Sequence, residues 1–99
     1  MITIKHLSVA VLDPKSVAEK LARLSDGHVK PFTPLPGGFV CMWDGGWEGN
    51  FIEFYPSDTT IVWRDSGPGF SKVKGEVGYM NATHVNLEIE KSAQEIARI

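Results

Sequence analysis

The sequence has almost no cysteine and no long hydrophobic run, and both shortages exclude classes of protein. Its single cysteine, Cys41, cannot form a disulfide within the chain, and without a CxxC pair there is no thiolate zinc site. No segment approaches the roughly 18 apolar residues needed to span a bilayer. The first residues form a short run of alternating polarity with an early lysine and histidine, unlike a secretory signal. These features predict a cytoplasmic protein.

Basic residues are neither numerous nor clustered. Ten lysines and arginines against twelve acidic residues give a net charge of −2, and without a basic face we expect no nucleic-acid partner. The 99 residues correspond to one small domain. A chain this short buries only roughly 60–65% of the surface that its unfolded form exposes, so a homodimer is expected to add to its core.

The chain begins with a strand and a helix. Residues 3–11 alternate between apolar and polar side chains, which is typical of a half-buried strand. Asp13 as N-cap, Pro14 at the first helical position and Gly27 as a stop signal predict a helix over residues 14–26. The apolar stripe of this helix is predicted to consist of Val17, Leu21 and Leu24.

Further strands are predicted over residues 29–33, 39–43, 47–55, 59–63 and 82–90, with a glycine-rich loop over residues 64–80. Ser92 and Glu95 form a capping-box pattern for a last helix. Residues 83–99 also resemble residues 5–24, with His84 matching His6, which favours an internal duplication. The predicted fold class is α+β, with a βαβββ unit over residues 1–64, a linker over 65–81 and the βα start of a second unit over 82–99.

Strand parity predicts a shared face for three possible metal ligands. Alternate residues of a strand point to opposite faces, and in each strand the apolar set should meet the helices. Two imidazoles and one carboxylate then face away from the helices, a composition suited to a divalent metal with open positions. The three residues are His6, Glu53 and His84.

Each of these residues also has a simpler interpretation. A single strand histidine is more often a hydrogen-bonded or surface residue than a ligand, and Glu53 could be solvated on an open sheet face. The neighbouring aromatic residues are expected in the core or a dimer interface, or else in a ligand pocket on the concave face. The predicted pocket residues are Ser8, Trp43, Trp47, Phe51, Tyr55 and Asn86.

The stretches IKHLSVAVLD, GNFIEFYP and THVNLEI, taken with the predicted order of elements, resemble the vicinal oxygen chelate superfamily. This superfamily includes glyoxalase I, bleomycin-resistance proteins and extradiol dioxygenases. The resemblance implies paired βαβββ modules around a cavity that often holds one divalent metal (Zn, Ni, Fe or Mn). It also implies that His6, Glu53 and His84 are ligands, although many members bind small molecules without metal. A second-module glutamate ligand has no counterpart in this sequence.

Three functions follow from these expectations. The first is a glyoxalase-like lyase, isomerase or dioxygenase that acts on a small oxygen-chelating substrate, with Glu53 as the catalytic base. The second is a non-enzymatic small-molecule binder of the antibiotic-resistance type. The third is an inactive, truncated member, suggested by the end of the sequence about two turns into the last helix.

Overall fold

A computed structural model describes residues 2–48, 50–72, 83–89 and 91–98. Within these ranges the chain forms seven strands and two α-helices, which confirms the α+β class. A short 3-10 helix, Gly46–Glu48, lies between the third and fourth strands. In chain order the elements are β1 (Ile2–Val11), α1 (Pro14–Ser25), β2 (His28–Pro31), β3 (Phe39–Trp43), β4 (Asn50–Pro56), β5 (Thr59–Arg64), β6 (Gly67–Lys72), β7 (His84–Ile89) and α2 (Ala93–Ala97).

Five of the strands form one sheet in the order β2-β3-β4-β1-β7, and β5 pairs with β6 in a separate two-stranded sheet. The central strand β1 runs parallel to β4 and antiparallel to β7. The predicted division of the chain into a first module, a linker and a second module stays a prediction.

Helix α1 begins and ends as its sequence predicts. The Asp13 side chain accepts a hydrogen bond from the Ser16 backbone N–H at 3.1 Å, an N-cap worth about 1 kcal/mol. The chain leaves the helix through Asp26, in the left-handed conformation with φ 52°. Gly27 follows, where a Cβ would lie 2.4 Å from the Met42 carbonyl oxygen, so only glycine lets the end of α1 approach β3 this closely.

The apolar side chains of α1 pack against one face of the five-stranded sheet. Ala18, Cys41 and Phe54 form the buried centre of this cluster. Val17 and Leu21 pack against it as predicted, but Leu24 is 85% exposed. Its place in the predicted stripe was wrong, because the buried face of α1 is centred on Ala18 and Leu24 lies roughly 120° away from Ala18 around the helix.

A second cluster is centred on Leu35 and Tyr55, with Phe32, Ile61 and Phe70 packed around it. Tyr55 belongs to β4, and its neighbour Phe54 packs toward α1, so this cluster lies on the sheet face that α1 leaves free. Ile61 and Phe70 are directly paired across the β5–β6 hairpin. The hairpin therefore covers part of the free face.

The β5–β6 hairpin corrects the predicted loop over residues 64–80, because Gly67–Lys72 is a strand. Pro68 and Gly69 resemble loop residues, but proline is compatible with an edge strand, and both strands of a two-stranded ribbon are edges. Residues 73–82 of the predicted loop lie outside the described residues.

The predicted strand over residues 47–55 also begins too early. Asp44, Gly45 and Gly46 all have positive φ, and this turn continues into the 3-10 helix that contains Trp47. The strand itself starts at Asn50.

The predicted capping box of the last helix is confirmed. The Ser92 hydroxyl accepts from the Glu95 N–H, and the Glu95 carboxylate accepts from the Ser92 N–H. Within the described ranges, no helix combines the length and apolarity needed to cross a membrane.

Candidate metal centre

A row of directly paired residues brings three strands together at one point of the free sheet face. Ser8 on β1 is paired with Glu53 on β4 and with His84 on β7. Residues that lie opposite each other in neighbouring strands project to the same face. His6 precedes Ser8 by two residues, so its imidazole joins this face as well. Strand parity together with the observed register thus brings both imidazoles and the carboxylate to this face.

The distances between these side chains suit a common metal ion. The Nε2 atoms of His6 and His84 lie 3.3 Å apart, and His6 Nε2 lies 3.5 Å from Glu53 Oε2. One potential ligand atom from each of the three residues lies within 4.8 Å of the other two. Two ligands at about 2.1 Å from a tetrahedral metal are about 3.4 Å from each other. The three side chains could therefore hold one metal ion with little movement.

Glu53 is buried, with only 5% of its surface exposed, and two hydroxyl groups compensate for this burial. The Ser8 hydroxyl donates to Glu53 Oε2 at 2.7 Å, and the Tyr55 hydroxyl donates to the same oxygen. Ser8 and Tyr55 are 0% and 1% exposed, so water does not compete with Glu53 for either hydroxyl group. These bonds explain how a strand of mainly apolar residues accommodates an acid.

The environment of Tyr55 keeps its hydroxyl protonated. Burial raises the pKa of Tyr55 well above its ordinary value of 10.0, and the hydrogen bond to Glu53 raises it further. Tyr55 therefore acts as a hydrogen-bond donor toward Glu53 throughout the neutral range. Ser8 also lies close to the second imidazole, with its Oγ 3.3 Å from His84 Nε2.

Aromatic rings fix the first imidazole. The His6 ring stacks on Phe51 with a centroid distance of 5.3 Å, and Phe51 in turn meets the edge of Trp47 at 4.9 Å. Trp47 is 51% exposed, so about half of its surface faces solvent. The stack holds His6 in the orientation that directs Nε2 toward His84 and Glu53.

Some of the predicted pocket residues lie beside the candidate ligands, and one lies on the opposite face of the sheet. Ser8 and Tyr55 contact Glu53, Phe51 contacts His6, and Trp47 lies one ring further away. Trp43 instead packs against the cluster on the α1 face. The backbone of Asn86 is paired with His6, and its side chain lies outside what the structure describes.

A pocket of about 210 Å³ opens above the candidate ligands, beneath the β5–β6 hairpin. His6, Glu53 and His84 line one part of it. The remaining lining comes from Phe32, Tyr55, Ile61, Pro68, Gly69 and Phe70. Of these six residues, only Tyr55 was predicted from the sequence to line a pocket. The pairing of Ile61 with Phe70 depends on a hairpin that the glycine-rich composition concealed.

No protein-family model, curated protein or solved structure was found to match this chain. What the site can do therefore has to be inferred from the positions and chemistry of its own residues. A carboxylate and two imidazoles are ligands suited to a divalent transition metal such as zinc, nickel, iron or manganese.

Proposed function

We propose that the protein holds one divalent metal through His6, Glu53 and His84 and is a glyoxalase-like member of the vicinal oxygen chelate superfamily. In this proposal it is a lyase, isomerase or dioxygenase that acts on a small substrate bound through two neighbouring oxygens. The observation that carries the proposal is the approach of His6 Nε2 to both His84 Nε2 and Glu53 Oε2, at 3.3 and 3.5 Å. The similarity of the sequence to βαβββ modules adds support.

A divalent metal bound at this point would supply Lewis-acid polarisation of the substrate oxygens. Three protein ligands leave coordination positions open, as catalytic sites require. Ser8 and Tyr55 orient the Glu53 carboxylate by holding one of its oxygens. Such partners of a ligand typically change metal affinity 10- to 100-fold when they are removed.

Glu53 is also the candidate general base. A carboxylate has about four lone-pair sites, so the two bonds to Oε2 leave acceptor capacity for a substrate proton. Glu53 lines the pocket, so a molecule bound there would lie next to it, and the low exposure of this residue would keep bulk water from competing for the proton.

Metal titration of the purified protein tests the proposal. We expect one equivalent of divalent metal per chain by calorimetry and metal analysis, and His6→Ala, His84→Ala and Glu53→Gln should each weaken binding about 100-fold or more. His28→Ala is the matched control, since His28 is an exposed residue of β2 outside the site. Substoichiometric metal that none of the three changes affects would refute the proposal.

A second function is favoured by the aromatic lining of the pocket. Phe32, Tyr55 and Phe70 would suit a non-enzymatic small-molecule binder of the antibiotic-resistance type. In that case ligand binding would survive Glu53→Gln and the removal of metal. The proposed enzyme would lose turnover under both conditions.

We also propose that the protein is a homodimer. Its radius of gyration of 15.0 Å exceeds the roughly 13 Å typical of a compact chain of this length. Apolar side chains such as Ile4 and Trp63 are 62% and 81% exposed. Light scattering after size exclusion should give twice the chain mass of 10.9 kDa, and a monomer at micromolar concentration would count against the dimer.

A further inference from the structure

We propose that the pocket beneath the β5–β6 hairpin binds one uncharged ring whose polar atoms lie at one end only. The inference rests on the proposed function for the role of that polar end, which would face the metal ligands. The second strand of this hairpin, β6, lies beyond the βαβββ unit predicted over residues 1–64, so the family resemblance does not supply the side of the pocket that contains Phe70.

The volume of the pocket corresponds to a single ring. An engineered apolar protein cavity of about 150 Å³ binds benzene. The pocket here measures about 210 Å³, which leaves space for a few substituent atoms beyond one six-membered ring. It is smaller than the roughly 300–1,000 Å³ of sites that take drug-sized ligands. Larger conjugates, in which a ring carries a peptide or nucleotide, would extend outside it.

The two ends of the pocket differ in chemistry. One end presents the imidazoles of His6 and His84 and the carboxylate of Glu53. The other end is formed by Phe32, Ile61 and Phe70. A ligand that satisfies both ends has hydrogen-bonding or chelating atoms on one side and only carbon on the other.

The apolar end suits a planar ring in particular. The Tyr55 ring lies 5.4 Å from Phe32 and 5.2 Å from Phe70, at angles of 34° and 71°. Phe32 and Phe70 meet edge to face at 87°. Rings inclined to one another present both faces and edges, so a planar guest can make offset and edge-to-face contacts at the same time.

Charge excludes an acidic group at the apolar end. Among the residues that the structure describes, those that line the pocket include no lysine or arginine. A carboxylate or phosphate placed next to Ile61 and Phe70 would be desolvated without a cation to pair with, which is strongly unfavourable. A substrate with a second, anionic end should therefore be rejected, whatever binds at the polar end.

Two phenols that share a polar end and differ at the other end test this inference. The probes are 4-methylphenol and 4-hydroxybenzoate, titrated into metal-free protein at pH 7 by calorimetry. We expect 4-methylphenol to bind about tenfold more tightly or better, since the carboxylate of the other probe would be buried beside the hairpin. Equal affinities would overturn the inference.

Substitution of the hairpin ring locates the binding. Phe70→Ala should weaken 4-methylphenol binding about tenfold. Phe39→Ala is the matched control, because it removes a phenyl ring from the α1 face and should leave the affinity unchanged. If Phe70→Ala does not fold, Phe70→Leu keeps most of the volume. Nuclear Overhauser contacts from the ligand methyl to Phe70 and Ile61 in the unmodified protein give an independent measurement, and contacts elsewhere would overturn the inference.

The outcomes separate this inference from the proposed function. If metal binds through His6, Glu53 and His84 while 4-methylphenol does not bind at millimolar concentration, the inference fails and the proposed function stands. If 4-methylphenol binds with the expected selectivity and no metal is taken up, the pocket inference stands and the metal-dependent function fails.

Discussion

Replacement of Tyr55 by phenylalanine removes one hydroxyl and leaves the ring in place. The hydroxyl donates to Glu53 Oε2, and the two residues are 1% and 5% exposed. A hydrogen bond to a charged group contributes about 1.5–3 kcal/mol, and burial means that little solvent screening reduces this value. The ring contacts of Tyr55 with Phe32 and Phe70 should persist in the variant.

We therefore expect Tyr55→Phe to lower the free energy of unfolding by about 2 kcal/mol. For a chain of about 100 residues, this corresponds to roughly 10 °C in Tm. Urea denaturation at pH 7 measures the change directly. The retained Ser8 bond, at 2.7 Å, should keep the Glu53 carboxylate from becoming entirely unsatisfied.

A double-mutant cycle tells whether the loss belongs to this contact. Tyr55→Phe, Glu53→Gln and the double variant are compared, and neighbouring groups that share a buried bond should show a coupling of at least about 0.5 kcal/mol. In the metal-loaded protein, Tyr55→Phe should also weaken metal binding about 10-fold or more. Additive effects, together with a single-variant change below about 0.5 kcal/mol, would refute the hydrogen bond and the support that it gives to Glu53.

Three further predictions concern other parts of the molecule. Burial, followed by the hydrogen bond to Glu53, raises the pKa of Tyr55 above 10.0. Above pH 10 the unfolded chain therefore ionises first and stability falls, and Tyr55→Phe should lose less stability between pH 10 and 11 in urea titrations. Gly27→Ala would place a Cβ 2.4 Å from the Met42 carbonyl oxygen and should cost about 1–3 kcal/mol in the same assay; a neutral effect would contradict this close approach. Cys41 is 0% exposed, and burial raises the pKa of its thiol. Ellman's reagent at pH 8 should therefore react with Cys41 only after the protein unfolds. Rapid labelling of the folded protein would contradict the buried position.

Strand parity made the candidate site partly predictable from the sequence. Side chains alternate between the two faces of β1: Val9 and Val11 pack toward α1, and Ser8 faces away. The same rule assigned Glu53 to the free face. Parity within a strand does not show how strands pair, however, so the central position of Ser8 between Glu53 and His84 could not be predicted.

Pairing also explains the position of Trp43. Val40 lies opposite Glu53 across β3 and β4, and Trp43 is three residues from Val40, which gives it the other parity. Its packing against the α1 face follows directly from this register. The sequence of β3 is apolar on both faces, so its own pattern contains no signal that would distinguish them.

In the β5–β6 hairpin, the first strand was predicted over residues 59–63, but the second strand was predicted to be a loop. This second strand contains Gly67, Pro68 and Gly69, which are common in loops. What stabilises the strand is the contact of Phe70 with Phe32 and Tyr55, residues that are distant in sequence. Local composition therefore gave the wrong answer where tertiary packing determines the structure.

The position of His84 has a consequence for the order in which the molecule is assembled. His6 and His84 are 78 residues apart in the chain, and β7 follows every other strand of the sheet in sequence. Contacts of such long range carry a large loop-closure entropy and form late in folding. During synthesis the first imidazole and the carboxylate would emerge well before their third partner, so a metal ion that requires all three can be captured only after β7 has joined β1.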